Sequence, residues 1–211
     1  MLKLDLKKDL KHLYQPTAKQ ITLVEIPAFN FAMVDGVVPP GTSPGDSEEY
    51  RHSLEALYGI SYTLKFRSKL RAQDPVDYPV MALEGLWWNE AAVFDFGSMK
   101  KLPMYFTSLI MQPDHLTEAD YLAGLEELKR KRPNPALDKM RFERFQEGLA
   151  IQIMHIGPYS EEQRTLAQME AYIAEHGYRF RGRHHEIYLG DPRRAKPEKL
   201  KTVLRHPVEK V

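Results

Sequence analysis

Cysteine is absent from the 211 residues, which removes disulfide frameworks, thiolate zinc sites, iron–sulfur clusters and cysteine nucleophiles together. An excess of either charge is missing as well. Thirty basic residues against 29 acidic ones leave a formal net charge of +1, without the cationic surplus that neutralises nucleic-acid phosphates. Direct binding to nucleic acid is therefore not expected. Long apolar runs are also lacking at the N-terminus, where MLKLDLKKDLKHLYQ interleaves leucine with charge. It offers no apolar stretch of about 7–15 residues, so neither a signal peptide nor a membrane span is expected, and the cytoplasm is the default location. The patterns GxGxxG, GxSxG and GxxxxGK followed by Ser or Thr do not occur, so no dinucleotide, serine-hydrolase or P-loop chemistry is indicated and no cofactor is expected.

The chain does contain enough apolar material for a core: 43% of residues are hydrophobic and 12 more are glycine, within the ~45–50% typical of globular chains. Residues 1–19 read as an N-terminal arm, with Leu2, Leu6, Leu10 and Leu13 at helical spacing, either docked or forming a short amphipathic helix. Ile21 to Val38 reads as a strand or bent strand pair, kinked or edge-placed at Pro27. After the loop VPPGTSPGD a helix begins at Asp46 or Ser47, with Leu54, Leu57, Tyr58, Tyr62 and Leu64 as its buried stripe. YPVMALEGLWW and MYFTSLIMQP read as two strands. A helical linker, 113–147, carries a helix at 117–131, capped by Thr117 and ended by Pro133 and Pro135.

The second half repeats this order. Gly148 to Gly157 reads as a strand, Ser160 to His176 as a helix, and HHEIYLGDP and LKTVLRHPV as two strands. The pattern predicts an α+β fold of tandem strand-helix-strand-strand modules, 20–112 and 148–208, duplicated in topology although not residue by residue.

Two strands each carry a glutamate flanked by aromatics. In LEGLWW, Glu84, Leu86 and Trp88 alternate with Leu83, Gly85 and Trp87. In HHEIYLGDP, His184, Glu186 and Tyr188 alternate with His185, Ile187 and Leu189. With Ile187 and Leu189 turned to the helices, Glu186 is expected on the opposite side. A carboxylate against aromatic surface serves as a counter-ion or acid–base group, or simply lies on a solvated face. Trp87, Trp88, Phe94, Phe96, Tyr105 and Phe106 cluster with Met99, Met104 and Met111 as core, but adjacent tryptophans face opposite ways, so one meets another surface. His184 and His185 also diverge and cannot share an ion, so no metal site is expected. His155 reads as a hydrogen-bonded sheet histidine, and Tyr159 as a corner residue that packs or looks into a cleft.

Taken in order, ISYTLKF, LEGLWW, IMQPD, MHIGPYSEE and HHEIYLGDPRR resemble the GyrI-like small-molecule-binding proteins, and among them the stand-alone group related to cyclopropanoid cyclopropyl hydrolases. The resemblance covers about residues 20 to 208. It implies pseudo-two-fold symmetry, a ligand cleft between the modules, and Glu186 as the pocket glutamate, with Trp88, Phe106, Tyr159 and Tyr188 lining the cleft; Glu84 is a ligand-binding candidate from its strand pattern alone. Relatives fused to helix-turn-helix domains sense drugs for MerR-type and AraC-type regulators, whereas the arm here is too short to be such a domain. Two functions follow from the resemblance. One is binding of planar aromatic or cationic drugs and xenobiotics. The other is hydrolysis of an electrophilic cyclopropane-type ring, with Glu186 and Tyr159 as catalytic residues. No protein partner can be read from the sequence.

Overall fold

The computed structural model describes residues 1–90 and 101–211; Phe94, Phe96 and Met99 of the aromatic cluster lie outside them. The fold is α+β, with a large antiparallel sheet and five α-helices among the described residues. Its short early elements are β1 (Leu2–Lys3), α1 (Leu6–Asp9), α2 (Lys11–Tyr14) and β3 (Val76–Asp77), and LEGLWW forms β4 (Leu83–Trp88). The chain divides into two compact units whose borders do not follow the two duplicated modules.

The first unit comprises Met1–Asp9, Phe29–Met81 and Gly85–Phe145. Its framework is the end of the long strand β2 (Thr22–Val38), paired antiparallel with β5 (Met104–Gln112) from Asn30↔Gln112 to Val38↔Met104. Helix α3 (Glu48–Leu70) packs on β5. It starts where the side chain of Ser47 accepts a hydrogen bond from the Tyr50 backbone N–H, and Glu48 and Glu49 complement the helix dipole. Of the expected stripe, Leu57 and Leu64 are buried, but Tyr58 and Tyr62 are exposed and Ser53, Ile60 and Ser61 take the inner positions. Tyrosines at those two positions are amphipathic enough to satisfy a polar face, so their apolar rings misled the pattern. Gly36 on β2 lies under the Phe106 ring; a Cβ there would come within 2.3 Å of it.

Helix α4 (Glu118–Lys131) has the expected cap and more: Thr117 accepts from the Asp120 N–H, and Asp120 accepts from the Thr117 N–H in return. A 3-10 turn, Pro135–Lys139, follows it, and the linker then stops being helical, because the next strand already starts at Met140 rather than at Gly148.

The second unit comprises Leu10–Ala28, Ala82–Glu84 and Gln146–Val211. Strand β6 (Met140–Ile156) enters it and pairs antiparallel with β9 (Lys201–Lys210), which also pairs with β8 (His184–Tyr188) and with a short strand, β7 (Tyr178–Phe180). Helix α5 (Gln163–His176) ends at Gly177, whose positive φ of 70° favours glycine and whose N–H reaches the Ile173 carbonyl. The N-terminal arm is docked: Leu13 and Tyr14 are buried within this unit. No helix among the described residues is long and apolar enough to cross a membrane.

Candidate functional site

Register assigns the two faces of the β6–β9–β8 sheet. Directly opposite residues of antiparallel strands share a face, so His155 and Thr202 lie together, as do Ile153 and Leu204, and Ile151 and His206. Tyr188 lies opposite Thr202 and Glu186 opposite Leu204. Glu186, Tyr188, Thr202, His206 and His155 thus occupy one face, with His184 joining by alternation along β8. Helix α5 covers it, since His155 Nδ1 meets Thr165 Oγ1 at 2.9 Å. Glu186 therefore points toward the helix, opposite to the facing expected from Ile187 and Leu189. His155 is the hydrogen-bonded sheet histidine that its alternation suggested, and burial lowers its pKa.

At the start of α5 this face gathers an unusual group of polar atoms. Glu186 is 4% exposed, and its Oε1 accepts no hydrogen bond; His184 Nε2 is 3.4 Å away. Glu162, 2% exposed, sits at the residue preceding α5 with its carbonyl engaged by the N–H groups of Thr165 and Leu166 and its Oε1 without a hydrogen-bond partner. Burial first, and the Glu186 carboxylate second, hold the Glu162 carboxyl well above the ordinary carboxylate range, so it keeps its proton at neutral pH. His206 is pushed down to about 3, by burial and then by His184, and is neutral. At the rim of this group Tyr159, 40% exposed, meets Tyr188 edge-on with ring centroids 5.9 Å apart. The structure thus brings Tyr159 and Tyr188 together and places Glu186 on the same strand face as Tyr188.

Glu84 lies elsewhere. Within the second unit it belongs to a buried chain of charges on the opposite face of the sheet, the face of His185 and Arg205. Tyr14 OH donates to Glu84 Oε1 at 2.6 Å, and His185 Nε2 lies 2.9 Å from Glu84 Oε2. His185 Nδ1 is 3.0 Å from Glu147 Oε2, which also accepts from Arg205 Nη1 at 3.3 Å. Arg205 further donates to Gln152 Oε1 and, at 2.8 Å, to the Leu13 carbonyl. Burial alone would strip His185 of its charge; Glu147 and Glu84 outweigh it and raise the pKa to about 9. Burial likewise opposes the charge on Glu147, but His185 and Arg205 bring it down to about 2. Tyr14 is held well above its ordinary value by burial and then by Glu84. The result is a charge-balanced set of two carboxylates and two cations, with the Glu84 oxygens already engaged.

Trp88 and Phe106 belong to the first unit. Trp88 is half-buried and stacks on Tyr105, centroids 5.8 Å apart and planes at 20°. Phe106 has no exposed surface and packs against Tyr50 and Trp87, at 5.1 and 5.8 Å. Trp87 is buried and Trp88 is not fully so, which settles the choice that the alternation in LEGLWW left between them.

Sequence reasoning missed Glu162, Tyr14, Glu147 and Arg205. A signal existed for Glu162: it lies at positions i, i+4 and i+7 with the buried Leu166 and Met169, whereas its neighbour Glu161 does not. Among the described residues no three His, Asp or Glu side chains are grouped so as to hold a metal ion.

A family model described as the GyrI-like small molecule binding domain matches residues 19–209. Among solved structures, an uncharacterized conserved protein of Listeria innocua is 38% identical, with 98% of this chain and 100% of that chain covered and a TM-score of 0.87. Two crystal structures of hydrolases from Listeria innocua match over the same shares at 36% and 37% identity, with TM-scores of 0.82 and 0.84. No curated protein matches the chain.

Proposed function

Because the chain belongs to the GyrI-like family of small molecule binding domains, we propose that it is a hydrolase acting on a planar, conjugated small molecule with an electrophilic strained ring of cyclopropane type. The observation that carries this reading is the buried Glu186 oxygen that accepts no hydrogen bond, set on the strand face whose exposed end is the Tyr159–Tyr188 pair. A carboxylate oxygen that accepts no hydrogen bond from the protein is free to accept one from a bound water and to take its proton. The tyrosine rings offer a surface on which a planar substrate stacks, and the Tyr159 hydroxyl polarises its carbonyl. The two Listeria innocua hydrolases to which the chain is similar favour the same direction.

In the reaction, Glu186 takes a proton from water as the water oxygen bonds to a ring carbon. The ring carbon–carbon bond breaks, its electron pair passes through the conjugated system to the carbonyl oxygen, and that oxygen takes up a proton. Substrate plus water becomes one ring-opened alcohol, with no oxidant or reductant.

A second reading, a binder of planar cations, draws on the same carboxylate as counter-ion and on the Tyr159–Tyr188 pair of the same unit as its aromatic surface. Single-turnover kinetics with Glu186→Gln separate the two. A hydrolase keeps much of its affinity for a neutral strained-ring substrate while the rate falls by ~10²–10⁴, as for a removed general base. A binder shows no turnover with wild type and loses affinity for cations in the variant.

A further inference from the structure

Glu162 has no role in the ring-opening step, yet it is buried at the start of the helix that covers the Glu186 face. Its side chain is turned away from solvent at the point where the chain enters α5, and it does not cap that helix. A buried carboxyl oxygen without a hydrogen-bond donor is costly to keep, and the neighbouring Glu161 shows that the turn Tyr159–Glu161 accepts an exposed glutamate at the next position. Facing it are Glu186 from β8 and Thr202 from β9, with His155 of β6 opposite Thr202 and bonded to Thr165 on its own helix; His184 stands beside Glu186 at 3.4 Å. The groups that act most strongly on the Glu162 carboxyl are burial, Glu186 and Thr202, and none of them is a cation. Two carboxyl groups set close together in a buried place favour a proton on one of them.

We propose that Glu162 is the catalytic acid of the site: it delivers a proton to the substrate atom that receives the ring electron pair, while Glu186 takes the proton of the attacking water. The inference rests on the hydrolase reading and deepens it. The division of labour follows from position. Glu162 is held above the ordinary carboxyl range by burial and by its neighbour's charge, which makes it the proton donor. Proton balance is internal: after ring opening, Glu186 is protonated and Glu162 ionised, and transfer of one proton from the former to the latter restores the starting state. The pair would also set substrate preference, because a substrate whose accepting atom is already weakly basic needs the acid least.

The variant Glu162→Gln tests this sharply, since glutamine has the shape of a protonated glutamate and still donates hydrogen bonds, but transfers no proton. The expected result is a single-turnover rate lower by ~10²–10⁴ with KM little changed, partly restored by substrates with a better electron-accepting carbonyl. Infrared difference spectra, wild type minus Glu162→Gln, should contain a protonated carboxyl band at neutral pH whether or not any substrate is present. A Glu162→Gln enzyme as fast as wild type, or a spectrum without that band, overturns the assignment of Glu162 and leaves the hydrolase reading standing. Wild type without turnover of any strained-ring probe overturns both. If Glu162→Gln does not fold, Glu162→Asp takes its place: a shifted acid band and a lowered rate support the proposal, and an unshifted band overturns it.

Discussion

His185 holds a charge in a place where burial alone would remove it, and the reason is the pair of carboxylates, Glu84 and Glu147, on its two nitrogens. Its folded pKa, about 9, lies above the ordinary value of 6.5. The stabilisation it brings is therefore complete below pH ~6.5 and is lost as pH rises through ~9. Glu147 runs the other way: with a folded pKa of about 2 against 4.5, its contribution is present above pH ~4.5 and is lost as pH falls through ~2. Replacing His185 by Gln leaves two buried carboxylates with only Arg205 as a cation, so chemical denaturation at pH ~6 should show a loss of about 3–5 kcal/mol. The difference from wild type should shrink steadily between pH ~6.5 and ~9; a difference independent of pH would mean that His185 is neutral in the fold. Tyr14 tests the same chain of groups from its end. Tyr14→Phe keeps the ring but leaves Glu84 Oε1 without its 2.6 Å donor, for an expected cost of about 1–3 kcal/mol by equilibrium unfolding.

Between neighbouring elements, the contact of β2 with β5 depends on Gly36. A methyl group there meets the Phe106 ring, which is itself fixed between Tyr50 and Trp87, so the ring cannot simply turn aside. Gly36→Ala should destabilise by about 1–3 kcal/mol, as overpacking does. Adding Phe106→Leu should recover part of that loss in a double-mutant cycle, whereas additive losses would mean that the close approach is not the cause. At the start of α4, Thr117→Ala removes one half of a reciprocal cap and should cost ~1 kcal/mol. These elements were legible because caps and turn residues act locally: Ser47, Thr117 and Gly177 mark helix ends without reference to the rest of the chain. The early start of β6 was not. Met140–Phe145 reads MRFERF, where apolar residues at intervals of two and three fit a helix as well as a strand, and what fixes the strand is distant: Phe142 stacks on Tyr121 of α4 at 5.4 Å.

Across the whole molecule, the duplicated strand-helix-strand-strand order was readable from apolar runs and helix caps, but the facing of Glu186 was not. Alternation reports inside against outside only when one face of a strand is wet. On β8, His184, His185, Glu186 and Ile187 are all buried, so polarity along the strand carries no such information, and the paired register of β9 was needed to decide. The same long-range dependence explains why Tyr14, 70 residues from its partner Glu84, could not be placed from sequence. Residues 10–28 are part of the second unit rather than an appendage. Deleting residues 1–19 should therefore lower the denaturation midpoint markedly, because it removes hydrogen-bond partners of Arg205, Gln152 and Glu84; an unchanged midpoint would show that the arm is dispensable. The central claim, that the Glu186 face hydrolyses a strained ring, is tested most directly by mass spectrometry of a planar cyclopropane-bearing probe incubated in isotopically heavy water. Wild type should yield a ring-opened product carrying one heavy oxygen, with Glu186→Gln yielding little of it. Recovery of the probe unchanged with wild type, or equal heavy-oxygen product from both proteins, would contradict the claim.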